Sequence, residues 1–327
     1  MRIDPNDHFT QAQLGELRRV QSWRGVGSVL WTWGWIVACF VAYWAHPAVE
    51  TVVAAWFVMS GRHLALAILM HEGSHGLIVR GKRANDWISQ WLTAYPAMVD
   101  TLLYRASHFV HHRKTWTHED PDRQLAAALP VTRASFRRKM LRDLSGKTAY
   151  KRHRGLVRYS AGLSPMGKGL EGKPLGPALR SFARVQRGFL ITNGLMLGAL
   201  SAAGIPEAYL LIWWLPFLTG YSVVLRLRSI AEHACVKDET DPLLNTRTTL
   251  APGWLRFLIA PHHVNYHLEH HVLMTVPHYN LPKAHRILAQ GGVLERAEVA
   301  TSYLEVLARA TSVPEPVAER VPNSKAA

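Results

Sequence analysis

The chain alternates between long apolar runs and strongly basic stretches. Four apolar segments are long enough, or nearly so, to cross a bilayer: about Ser28 to Ala45, Ala48 to Met70, Gly188 to Ile205 and Ala208 to Leu227. A helix needs roughly 20 apolar residues to span the hydrocarbon, and a run such as SVLWTWGWIVACFVAYWA carries no Lys, Arg, Asp or Glu. Segments one and two are joined by His46-Pro47, and three and four around Pro206-Glu207; neither turn contains Lys or Arg. Between them, Arg133 to Arg187 holds fifteen Lys and Arg against two acids, Asp143 and Glu171. Because Lys and Arg concentrate in cytoplasmic loops, this stretch and both termini are expected on the cytoplasmic side.

The pattern predicts an all-α membrane protein with four transmembrane helices in two hairpins and a helical cytoplasmic cap. Residues 1–27 form a cytoplasmic N-terminal segment. Residues 28–227 form the transmembrane region, interrupted by a cytoplasmic loop at about 71–187. Residues 228–312 make a C-terminal cap, and 313–327, Pro-rich and polar, a disordered tail. Arg62 and His63 interrupt the second segment. Either the helix leaves the hydrocarbon there and carries His71 and His75 into the cytoplasm, or the charge faces a cavity inside the bundle. The stretch from Asp86 to Leu103 is amphipathic, with Trp87, Trp91 and Tyr95 suited to the interface, and Ala251 to Ala260 is a candidate second interfacial piece.

Composition sharpens this. The 327 residues suit one or two domains, and the net charge of +15, from 38 Lys and Arg against 23 Asp and Glu, favours an anionic partner. Nucleic acid is a poor choice for a polytopic chain without a recognition motif. Anionic lipid headgroups or an acidic protein remain. The two cysteines, Cys39 and Cys235, provide neither a disulfide framework nor a thiolate zinc site, which fits a reducing compartment. The polar Met1 to Thr10 does not read as a cleavable signal.

The 18 histidines are concentrated. His71-Glu-Gly-Ser-His75 puts two imidazoles one helical turn apart on one face, and His108-Phe-Val-His111-His112 puts three at i, i+3 and i+4. The same spacing recurs in His267-Leu-Glu-His270-His271. Neutral imidazole is the commonest nitrogen ligand of first-row transition metals, and facing helices can turn such faces toward one centre. Glu72, Glu232 and Glu269 lie in or beside these clusters and could accept the second ring N–H of a ligand. Solvated helix-surface charge is the competing account of each.

The order HxxxH, HxxHH, HxxHH, each cluster next to an apolar segment, resembles the membrane fatty-acid desaturase and hydroxylase superfamily. Tyr104-Arg105, Asp120-Pro121-Asp122 and Asn265-Tyr266 fit as flanking sequence, and HLEHH after Asn-Tyr is most similar to the acyl-lipid and sphingolipid-type desaturase branch of bacteria. The resemblance covers about Ala48 to Pro277. It implies two iron ions held by His71, His75, His108, His111, His112, His267, His270 and His271, with His233, after the last membrane segment, as ninth ligand. It implies an O2-dependent oxidoreductase that removes two hydrogens from a lipid acyl chain, with hydroxylation as the alternative outcome. It also implies electrons from an external ferredoxin, rubredoxin or cytochrome b5-type donor, and a bacterial inner-membrane location with the metal site cytoplasmic. A histidine-lined metal transporter is the non-enzymatic alternative, disfavoured because the clusters fall outside the apolar cores. The remaining nine histidines are expected not to be ligands, His118 and His263 being the first exceptions to look for.

Overall fold

The computed structural model describes residues 4–166 and 174–314; Glu171 and the expected tail from 315 onward lie outside the described residues. After α1 (Gln11–Leu17), whose Thr10 and Gln13 form a reciprocal capping box, two long helices follow: α2 (Ser22–Ala45) and α3 (Val49–Ser74). Next come α4 (Lys82–Ser89), α5 (Thr101–Lys114), the basic α6 (Arg133–Leu144) and α7 (Lys147–Ser160), then α8 (Leu175–Val185) and α9 (Arg187–Ala202). A wide π turn, Tyr209–Trp214, leads through α10 (Leu215–Leu218) into α11 (Gly220–His233). Pro216 cannot donate to the carbonyl one turn back, which accounts for the widened turn just before it. The C-terminal part holds α12 (Gly253–Leu258), α13 (His267–Val272), α14 (Leu281–Gln290) and α15 (Tyr303–Ala310). It is tied by a two-residue parallel pair, β1 (Thr248–Thr249) against β2 (Val299–Ala300).

Among the described residues, three helical stretches are long and apolar enough to cross a membrane: Ser22–Ala45, Val49–Ser74 and Tyr209–His233. Each starts or ends a few residues beyond its sequence-predicted segment. The predicted third segment behaves differently. Its helix α9 has 16 residues and stops before Gly204, which adopts a φ of +76°. At 1.5 Å per residue it is roughly 24 Å long, short of a ~30 Å hydrocarbon core.

The long helices carry their apolar side chains outward as well as inward. On α2, Leu30, Trp31, Val37, Val41 and Trp44 are exposed, while Val29, Ile36 and Cys39 face the core. Trp23 and Trp44, both exposed, are about 31 Å apart along the helix, a spacing that suits an aromatic belt at each interface. In α3 the first turns expose Val49, Val53 and Phe57, but from Met59 to Ser74 every residue except Ala67 is buried. The helix is thus the central axis of the molecule. It packs in its first half on Ile36, Ile212 and Trp213, and in its second half on Val224, Ala231 and Ala260.

α3 runs through Arg62 and His63 without a break, and both side chains are buried inside the helical bundle. Arg62 is fully buried; it donates to the Phe257 carbonyl and lies 4.0 Å over the Phe257 ring. Neighbouring Gly61 permits this, since a Cβ there would stand 2.5 Å from the Leu258 carbonyl oxygen. His63 is enclosed by Trp213 and Phe217, with ring centroids at 4.5 and 4.9 Å.

Candidate metal centre

Four helices deliver the clustered histidines. The last turn of α3 presents His71, with His75 as its C-terminal cap residue. Gly73 between them lets α4 approach, because a Cβ would meet the Ser89 side chain at 2.0 Å. α5, capped by Asp100 accepting from the backbone N–H of Leu102 and Leu103, presents His108, His111 and His112. α11 ends on His233, and α13 carries His267, His270 and His271.

All nine histidines singled out in the sequence come together, in two groups. His71, His75, His108, His112 and His270 form one; His111, His233, His267 and His271 form the other. Within each group the nitrogens lie within 4.8 Å of one another. The groups adjoin through His112, which lies 4.5 Å from the His271 ring and 5.7 Å from that of His111.

The donor set fits metal ions. His108 Nε2 is 2.9 Å from Nε2 of both His75 and His112, and His112 Nε2 is 3.1 Å from His270 Nε2. In the second group His267 Nε2 is 2.8 Å from His233 Nε2 and 3.1 Å from His271 Nε2. Two nitrogens bound at ~2.1 Å and at right angles on one ion are about 3.0 Å apart. A neutral ring has one N–H, so three Nε2 atoms facing each other cannot all be satisfied by mutual hydrogen bonds. Neither nitrogen of buried His71 has a hydrogen-bond partner among the described residues. Burial first, then the neighbouring charges, holds His108, His112, His267, His270 and His271 well below an ordinary histidine, and His75 at about 3. The rings are therefore neutral, the form that ligates.

The residues that orient these rings were only partly visible in the sequence. Asp120 Oδ1 accepts from His111 Nδ1 at 2.8 Å and from the Asp122 backbone N–H, while Oδ2 accepts from the Trp116 N–H. Burial alone would raise its pKa, but these hydrogen bonds hold it below the usual aspartate value. Its only sequence signal was the Asp-Pro-Asp flank of the second cluster. Tyr104 stacks on His108 and its hydroxyl lies 3.3 Å from Nδ1. Of the three glutamates considered earlier, two lie beside a clustered ring. Glu72 Oε1 is 3.7 Å from His71 Nδ1, and Oε2 accepts the His278 backbone N–H. Glu232 is 3.6 Å from His267 Nδ1 and pairs with Arg228. Glu269 accepts from His285 Nδ1 and from the Thr248 hydroxyl. Asp120→Asn keeps the volume but blunts acceptance from His111, and loss of such a partner typically costs 10–100-fold. Activity is expected to fall by that factor with the fold intact, measured as turnover alongside the thermal midpoint.

Arg105 locks the first cluster to the second. From α5 it donates to the carbonyls of Gly73 and Ser74 at the end of α3, and to Asp86 on α4. Burial raises the pKa of Asp86, but hydrogen bonds from Arg105 and Lys82 outweigh it and bring the carboxyl from 3.8 to about 2. This stabilisation, on the order of 1–2 kcal/mol, is complete above pH ~5 and fades as pH falls toward 2. Asp86→Asn should therefore be less stable than the parent at neutral pH, and the gap in unfolding midpoints should narrow below pH ~4 and close as pH falls through about 2.

None of the other nine histidines joins either group. His118 is exposed, and His263 lines a separate cavity.

Helices of membrane-spanning length around two histidine groups suited to metal ions define the class: a membrane-type, histidine-clustered protein. Residues 42–303, which hold all nine histidines, match the family model described as fatty acid desaturase, and the chain belongs to that family. It is similar to a dihydrorhizobitoxine desaturase of Bradyrhizobium elkanii, 26% identical over 76% of this chain and 69% of the relative. It is similar also to a beta-carotene ketolase of Paracoccus sp. (strain PC1), 24% identical over 77% of this chain and 88% of the relative. Family and relatives point to an oxidoreductase of desaturase or ketolase type.

Proposed function

We propose that the chain is an O2-dependent acyl-lipid desaturase whose nine clustered histidines hold two iron ions, five at one and four at the other. The convergence of those nitrogens into two adjoining groups carries the reading. Bound iron would supply the oxidising power, drawn from O2 and external electrons, that unactivated C–H bonds require. The chain's own residues orient the rings and position the lipid.

A cavity of about 410 Å3 bordered by Tyr95, Met98, Leu103, Tyr104, Leu156 and Val185 suits an acyl chain, and Tyr104 connects it to His108. On the other side, a cavity of about 690 Å3 reaches His112 and His271 past Arg113, Lys114 and Arg123. That basic approach suits an acidic electron donor such as a ferredoxin, rubredoxin or cytochrome b5-type protein. In this reading α9 and the residues to Ile205 form the shorter arm of a second hairpin. The protein then sits in a bacterial inner membrane with termini and metal centre cytoplasmic.

Expression in a host with a simple lipid profile, followed by mass spectrometry, tests the proposal. Loss of two hydrogens from an acyl chain is the expected change. The ketolase relative favours oxygen insertion as the second reading, and a product heavier by an oxygen atom would select it. An unchanged acyl profile from metal-loaded protein supplied with a donor would overturn the acyl-lipid assignment.

A further inference from the structure

A separate cavity of about 560 Å3 opens between α2, α3, α12 and the segment around His278. Its lining includes Arg24, Arg62 and Arg256 and no Asp or Glu. Burial first, then nearby cations, disfavours protonation of its histidines: Arg62 and His263 act on His262, Arg256 and Arg24 on His263, and His262, His263 and Arg24 on His278, with no acid among them. Arg62 is 1% exposed and His278 6%; both line the cavity, and Arg62 Nε and His278 Nδ1 have no hydrogen-bond partner among the described residues. Hydroxyls of α2 pin the other edges of two rings, Thr32 at 2.9 Å from His262 Nε2 and Ser28 at 3.1 Å from His278 Nε2. Three guanidiniums repel a metal cation and attract an oxyanion.

The backbone is constrained at the same place. His262 and His263 are consecutive non-glycine residues at φ of +52° and +57°. Such strain persists where the surrounding structure holds a ligand-binding shape. The mouth is rimmed by Trp23 and Trp31, 75% and 57% exposed, side chains that favour the lipid–water interface. A soluble anion needs no such rim.

We infer that this cavity binds the oxyanion headgroup, phosphate or carboxylate, of a membrane amphiphile, with Arg24, Arg62 and Arg256 as its charge partners. The site is distinct from the two histidine groups and needs neither metal nor turnover, so its failure would leave the oxygenase reading untouched.

Native mass spectrometry of the full chain in detergent, titrated with dioleoyl phosphatidic acid, oleate or dioleoyl phosphatidylcholine, tests it. Phosphatidic acid or oleate should bind about tenfold tighter than the zwitterionic lipid, and Arg24→Gln and Arg256→Gln should each erase most of that preference. Both arginines are only partly buried, so the variants are expected to keep the parental thermal midpoint. Equal binding of acidic and zwitterionic lipid, or an unchanged preference in both variants, would overturn the inference. Displacement by an equal concentration of inorganic phosphate would overturn the amphiphile as occupant and assign the cavity to a free anion.

Discussion

His270→Ala is expected to reduce turnover to background while the protein remains membrane-inserted. His270 is 3% exposed, its Nε2 is 3.1 Å from that of His112, and its ring lies 4.5 Å from the His71 ring. Alanine removes one nitrogen from the group of five and leaves the group of four complete. Metal content should therefore fall by about one ion per chain, with activity lost beyond the ~100-fold that follows removal of a supporting partner. His153→Ala provides the control. That ring lies outside both groups, bonded to the Ala149 carbonyl and packed on Phe217, so turnover should be near parental. Full metal content and full turnover in His270→Ala would sink the ligand assignment.

Stripping the metal should have the second largest effect, on stability as well as activity. Nine imidazoles are held in two groups with Nε2 atoms of neighbours about 3 Å apart, and His71 has no hydrogen-bond partner for either nitrogen among the described residues. Without an ion, buried lone pairs confront each other in a low-dielectric site at a cost comparable to unmade hydrogen bonds. Structural metal sites contribute up to ~10–16 kcal/mol to folding, and even part of that corresponds to a midpoint drop of roughly 10 °C or more in a chain of this size. Chelated protein should unfold that much earlier, and ferrous iron should restore both midpoint and turnover. An unchanged midpoint in metal-free protein would mean that the clusters are stable through protein contacts alone.

Much of the site was legible because the ligand spacing is a helical property. HxxxH and HxxHH place rings on one face whatever the tertiary fold, and the apolar runs beside them fixed where those helices lie. His233 was found through the resemblance, since a lone histidine has no spacing to read. Partners reached through turns were harder. Asp120 meets His111 nine residues back because the chain reverses at Trp116, whose φ of +66° no local pattern announces. Glu72 and Glu232 stand 3.7 and 3.6 Å from the Nδ1 atoms of His71 and His267 while also meeting His278 and Arg228, and Glu269 meets His285 and Thr248, partners that cluster spacing does not announce. At α9 the boundary was less legible: apolar composition continues to Ile205, whereas the helix stops at Ala202 before the turn at Gly204.

The five-histidine group joins His71 to His270, side chains encoded about 200 residues apart. During synthesis α2 and α3 are complete long before α13, the last helix of the centre, exists. Assembly of the complete ligand set must wait until α13 has emerged, so loading belongs to the finished polypeptide and not to the nascent one. Any truncation upstream of residue 267 would yield an inserted protein with both ligand sets incomplete, an orphan that quality control would have to clear.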